Sequence, residues 1–158
     1  MLKIYDVSKS IEELEQIVWS APILQSYVVR TCFDLRRKPL RDLINEELRV
    51  GLEQQVGVEY LVPLAIKRLE PEPLLEARLY RGDLLQSLLD VPNSYWVCNP
   101  DLQRKAGRIA TTAMHQAADC SAFWKDEVLP GLCEAHNRFT SKLASRRWLR
   151  SNDGKTPP

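Results

Sequence analysis

The stretch LYRGDLLQSLLDV, Leu79 to Val91, decides how the whole chain folds. Its Arg81-Gly82-Asp83 tripeptide has the form of an adhesion signal, which requires an exported protein and an exposed loop tip. The leucines behind it argue for a helix. Leu84, Leu85, Leu88 and Leu89 recur at the spacing that lines one helical face. Gly82 supplies the permissive backbone that a helix entrance needs, Asp83 an acceptor for N–H groups, and Pro92 the stop. The tripeptide therefore reads as punctuation at a helix start, in a helical domain rather than a ligand for outside surfaces.

The same period runs upstream. Pro71 and Pro73 mark a loop, and VEYLVPLAIKRLE before it is apolar enough for deep burial. Pro63 is expected in the first turn of that helix, or at a kink, since deeper in a helix proline costs about 3 kcal/mol. In INEELRVGLEQQVG, Asn45 is the expected cap and Gly57 the stop. Leu48, Leu52 and Val56 form its inner stripe, with Glu46, Arg49 and Glu53 on the wet face. Lys38-Pro39 breaks a helix running from about Leu24 to Arg37, whose Val28, Val29, Cys32 and Phe33 are expected inside. Ser10 and Glu13 make a capping box ahead of Ile11, Leu14, Ile17 and Val18, an element bounded by Pro22.

Downstream, Asn99 caps a helix with Pro100 at its first position, and Leu102, Ala106, Ile109, Ala113 and Ala117 keep the period. Ser121 caps a segment through Leu129, Pro130-Gly131 interrupts, and a last helix runs from about Leu132 to Leu149. No alternating segment reads as a strand. The expectation is an all-α bundle of seven or eight helices, one domain over residues 1–150, with a frayed polar tail at 151–158.

Composition limits the function classes. With 158 residues, 44% apolar and 27% charged, the chain can bury a substantial core. A net charge of +1 is too balanced to announce a nucleic-acid binder. Residues 1–90 carry 12 Lys+Arg against 15 Asp+Glu, and residues 91–158 carry 10 against 6, so the N-terminal part is the better match for a basic partner. No signal-peptide core or membrane-length apolar run is present in the sequence, so a cytoplasmic protein without membrane contact is expected. Cys32, Cys98, Cys120 and Cys133 then read as buried free thiols.

Chemistry-bearing motifs are few. Cys133 and His136 lie three apart on one helical face, a spacing suited to zinc, and His115 with Cys120 would complete a site. Those two point about 140° apart on a continuous helix, so a break near Asp119 to Ser121 is required. Buried thiols and surface histidines are the simpler reading, and neither a metal nor a cofactor is expected. His115 with Asp119 resembles an oriented base but has no nucleophile beside it. Glycine-rich phosphate loops and nucleophile elbows do not occur, so neither catalysis nor a small-molecule substrate is expected. Arg138, Lys142, Arg146, Arg147 and Arg150 with Trp148 could touch phosphates, although around a terminal helix they read first as a solvated face. Glu12, Glu13, Glu15, Glu46, Glu53, Glu70, Glu72 and Glu76 recur on expected outer faces, where together they would steer a basic protein.

Four blocks carry a resemblance. They are Leu35-Arg36-Arg37-Lys38-Pro39-Leu40, Glu47-Leu48-Arg49 with Gln54 or Gln55, Tyr60-Leu61-Val62-Pro63-Leu64-Ala65, and Tyr80-Arg81-Gly82-Asp83-Leu84-Leu85. In this order the chain resembles the all-helical immunity proteins of bacterial contact-dependent growth inhibition, from Ser10 to about Trp96. Arg81 stands where that family's pattern has proline, which implies a less rigid loop. The resemblance implies a cytosolic, non-enzymatic protein that binds and blocks the toxic C-terminal domain of a cognate exported effector, as a heterodimer. Such toxins are often nucleases with basic clefts. The toxin-facing surface is then expected on Glu46, Glu53, Glu70, Glu72 and Glu76 as charge contacts, with Tyr80 as anchor. The alternative is a helical adaptor or nucleic-acid-binding module using the basic C-terminal helix, and a third is a small metal-dependent enzyme on His115, Cys120, Cys133 and His136.

Overall fold

Caps and prolines set the element boundaries. Glu13 N donates to Ser10 Oγ at 3.2 Å and Ser10 N donates to Glu13 Oε2 at 2.7 Å, the reciprocal box expected from the sequence. It opens α1, Ile11–Glu15, in a computed structural model that describes residues 5–23 and 26–151, apart from the side chains of 118 and 142–151. The helices that follow are α2 (Tyr27–Arg37), α3 (Asn45–Glu53), α4 (Val58–Leu69), α5 (Asp83–Leu89), α6 (Asn93–Cys98), α7 (Pro100–Gln116), α8 (Ala122–Glu127) and α9 (Leu129–Ser151). Short 3-10 turns occupy Leu40–Asp42 and Ala117–Asp119. Among the described residues there is no strand, only isolated bridges between Ser10 and Pro39 and between Glu76 and Arg81. The all-α class holds.

The nine helices among the described residues exceed the seven or eight expected, and α6 is the addition. Pro92 ends α5 but also caps α6, with φ −54 already close to helical. Pro130 does not interrupt. It sits in the first turn of α9, where a missing N–H leaves no helical bond unmade, and α8 stops at Glu127 rather than Leu129. Pro63 lies beyond the first turn of α4, so it cannot donate to the carbonyl of Glu59.

Several inward faces differ from the periodic reading. Gln16 adopts the left-handed conformation at φ 56 and ends α1, which leaves Ile17 and Val18 exposed. In α2 the buried positions are Cys32, Leu35 and Arg36, whereas Val28 is exposed and Val29 and Phe33 are half-buried. The expected start at Leu24 lies outside the described residues; Ser26 Oγ caps α2 by accepting from Val29 N at 3.3 Å. Ile44, not Asn45, is the cap residue of α3, and its N–H donates to Glu47 Oε2 at 2.9 Å. Asn45 Oδ1 instead accepts from Arg68 Nη1 at 2.6 Å.

The core sits around α3, which packs against α2, α4 and α5, while α5 reaches across to α7 and α9. Leu48, Leu61, Leu84, Leu85, Leu88 and Leu89 are fully buried, each contributing about 1.5–3 kcal/mol of transfer free energy. Ala106, Ala110 and Ala113 line the buried side of α7, and small side chains there let α4 approach. Trp96 and Phe139 meet edge to face with ring centroids 5.4 Å apart. All four cysteines are free; Cys32 and Cys120 are buried and Cys133 is half-buried, but Cys98, at the end of the unforeseen α6, is exposed. Among the described residues no helix is long and apolar enough to cross a membrane. The expected tail falls almost wholly outside the described residues.

Candidate functional site

The Arg81-Gly82-Asp83 turn organises the surface around it. Asp83 is only 2% exposed, so its carboxylate is not presented to a receptor. Nor does it cap its own helix, as the sequence suggested. It accepts from Ala77 N at 2.7 Å and from Arg78 N and Leu79 N at 3.0 and 2.8 Å, satisfying the donors of the preceding loop. A carboxylate has acceptor sites for all three, which is why one side chain can shape an irregular loop. Gly82 makes the entry possible with φ +94, and a Cβ there would meet Leu74 Cδ2 at 3.3 Å. Gly82 N donates to Leu75 O at 3.2 Å, and Trp124 Nε1 of α8 donates to Arg81 O at 2.9 Å. The loop is thus fastened at several points without a proline at position 81.

Beneath the loop, Arg49 is 7% exposed rather than on the wet face, because the start of α5 covers it. Its Nη1 donates to Glu53 Oε1 at 2.7 Å, and its Nε lies 4.0 Å from Asp83 Oδ2. Ser87 Oγ lies 3.0 Å from both Glu53 Oε1 and Asp83 O. Tyr80, half-buried, donates its hydroxyl to Gln86 Oε1 at 2.8 Å. Burial pushes the Tyr80 phenol up, and the negative charges of Asp83 and Glu53 push it the same way.

On the outer flank, Glu46 joins three elements. It accepts from Tyr27 Oη of α2 and from Arg78 Nη1 of the loop, and the Arg78 guanidinium stands 4.9 Å from the centre of the Tyr27 ring. Burial alone would raise the Glu46 carboxyl, but the hydrogen bonds from Tyr27 and Arg78 outweigh it and hold it below its ordinary value. Tyr27 within the junction, Leu79 next to Arg78 in the chain and Ile44 two residues before Glu46 are exposed large apolar side chains.

The six expected contact residues therefore divide. Glu46, Glu53, Glu76 and Tyr80 gather around the loop, although Glu46 and Glu53 are already bonded to Arg78 and Arg49. Glu76 is exposed and without an ion-pair partner among the described residues. Glu70 lies away from it, paired with Lys105 at 3.3 Å, and exposed Glu72 lines one open cleft with Arg41, Lys67 and Leu75 and a second with Leu74 and Arg81. The periodic reading missed Tyr27, Arg78 and Leu79. Tyr27 and Arg78 meet Glu46 across 19 and 32 residues of sequence, a pairing that carries no local signal.

The other candidates do not converge. Among the described residues no three His, Cys, Asp or Glu side chains come together as a metal site. The break at Ala117–Asp119 exists, yet the Cys120 thiol faces Gln116 O at 3.9 Å and the Cys133 thiol faces Met114 Sδ at 3.9 Å. Of the basic terminal string, Arg138 is engaged with Asp90 at 2.9 Å, and the side chains of Lys142, Arg146, Arg147, Trp148 and Arg150 lie outside the described residues.

A second buried charge holds the segment from Gln16 to Ile23, the N-terminal strap. Arg36, 3% exposed, donates Nη1 to Glu15 Oε2 at 2.6 Å and Nη2 to Ile17 O at 3.0 Å, with its guanidinium 4.3 Å from the Trp19 ring centre.

The model of one protein family, described as CDI immunity proteins, matches residues 13–106, more than half of the chain. The matched span holds the loop and the Tyr27–Glu46–Arg78 junction and reaches into α7, past the Trp96 limit of the block resemblance. Neither a curated protein nor a solved structure matches the chain.

Proposed function

The chain belongs to the CDI immunity proteins, and on that premise we propose that it binds the toxic C-terminal domain of a cognate effector and blocks it as a heterodimer, with no chemistry of its own. The family match is the observation that carries this. The site adds support of a different kind: its charged groups are bonded to one another in a fixed arrangement, which suits recognition by shape better than turnover. The protein acts in the cytosol of the producing cell, and the toxin is a nuclease whose basic cleft meets a carboxylate-bearing face. On that face Glu72 and Glu76 are exposed to meet a cationic partner, and Glu46 and Glu53 set the local field with their charges partly neutralised; Glu70, paired with Lys105, contributes only from the side. Tyr80 supports the loop from below.

Co-expression tests the proposal. The C-terminal domain of the exported effector encoded immediately upstream should arrest growth alone, whereas with this chain present growth resumes and the two co-purify in equal amounts. Arrest that persists despite the chain, without co-purification, would end the proposal. Degraded RNA or DNA in the arrested cells identifies the toxin as a nuclease; intact nucleic acid removes that part alone.

A further inference from the structure

The loop from Glu76 to Arg81 is irregular backbone on the protein surface, yet its tip is fixed. Three of its N–H groups are held by Asp83, Arg81 O accepts from Trp124, and Arg78 reaches Glu46 over the Tyr27 ring. On this framework Leu79 is left 59% exposed and Tyr27 51% exposed, with Ile44 open to solvent two residues before Glu46. An apolar residue at a loop tip is ordinary by itself. Apolar residues flanking an arginine–tyrosine contact, on a loop anchored by a buried carboxylate, form the residue mixture of an interface centre.

We infer that this surface is where the toxin domain seats, with Leu79 and Arg78 as its central contacts; the inference rests on the immunity proposal. Charge specifies the fit. Arg78 is neutralised by Glu46, and Glu76 and Arg81 offset each other at the loop base, so the centre carries no net charge. Its complement on the toxin is an apolar hollow that takes Leu79, with an oxygen acceptor for the unused N–H groups of Arg78, at the edge of the basic cleft that faces Glu72 and Glu76. Because the loop is already held in shape, seating it requires little further ordering, which lowers the entropy opposing association. Every contact residue lies within the family-matched span.

The test measures binding of the purified C-terminal domain of the upstream-encoded effector to four proteins: wild type, Leu79→Ala, the double variant Arg78→Ala/Leu79→Ala, and Phe123→Ala as an exposed apolar control outside the proposed contact residues. The double variant should bind at least 100-fold more weakly and fail to restore growth, and Leu79→Ala about tenfold more weakly, a hot-spot effect. Phe123→Ala should stay within twofold. Thermal melting of Leu79→Ala should match wild type, since the side chain faces solvent, so its binding loss is not a folding loss. Binding of the double variant within threefold of wild type would overturn the inference. So would a double variant that keeps the toxin but loses self-association, which would make the surface a contact between copies of this chain. If wild type itself neither binds nor protects, the immunity proposal fails first.

Discussion

The segment from Gln16 to Ile23 and the loop from Glu76 to Arg81 are both irregular and both display apolar side chains, yet they hang on buried charges of opposite sign. The loop hangs on Asp83, an anion four to six residues away that accepts three backbone N–H groups. The strap hangs on Arg36, a cation about twenty residues away that donates to one carboxylate and one carbonyl. An anionic anchor collects N–H groups and so dictates backbone shape. A cationic anchor collects oxygens, which side chains can supply, and it fixes a segment's position while leaving its amides to other partners. The loop is accordingly shaped, and the strap is merely pinned.

Removing each anchor sharpens that contrast. Asp83→Ala should have the largest effect, about 3–4 kcal/mol of stability, because three N–H groups lose their acceptor beside a buried arginine. Denaturant unfolding gives the magnitude, and hydrogen exchange at Ala77, Arg78 and Leu79 should rise far more than at Leu61. Arg36→Met should have a smaller effect, about 1–2 kcal/mol, since Glu15 is partly exposed and water can replace the guanidinium, although the contact with Trp19 is lost. Equal losses in the two variants would erase the distinction between shaping and pinning.

The smallest effect concerns the outer junction and appears in pH. A carboxyl held below its ordinary value stabilises the fold while ionised, and that contribution disappears as the pH falls through the folded-state value. Glu46 is such a group, with an ordinary value of 4.5. Arg78→Ala should therefore lower the melting temperature near neutral pH, and the difference from wild type should shrink progressively below pH 4.5. A difference that grows in acid would mean that Arg78 acts on some group other than Glu46.

What was legible in the sequence was local. The Ser10–Glu13 box, the leucine pairs of α5, the helix start at Pro100 and the Ser121 cap each depend on residues within one or two turns, and each holds in the structure; Asn99 stands at the cap position, but its side-chain amide donates to Tyr95 O. Even there Asp83 serves the preceding loop and not its own helix, because a carboxylate at a helix entrance can serve donors on either side of it. The helical angle of Arg49 matches that of Glu46 and Glu53, which reads as an outer position. Its burial is imposed by α5, more than thirty residues on, and no periodicity within α3 encodes that neighbour. The glutamates read as outer-face residues, but which of them are bonded to Arg49, Arg78 or Lys105 depends on tertiary contacts alone. Pro92 hid α6 because a proline that stops one helix looks the same in sequence as one that starts the next.

The bond from Trp124 to Arg81 O crosses the end of the family-matched stretch. A strut rooted in the unmatched C-terminal third braces the loop that belongs to the matched part. A fragment trimmed at Ala106 would keep every residue of the loop and discard its brace, and an exchange of C-terminal thirds between related chains would alter how the loop is held without changing a letter in it.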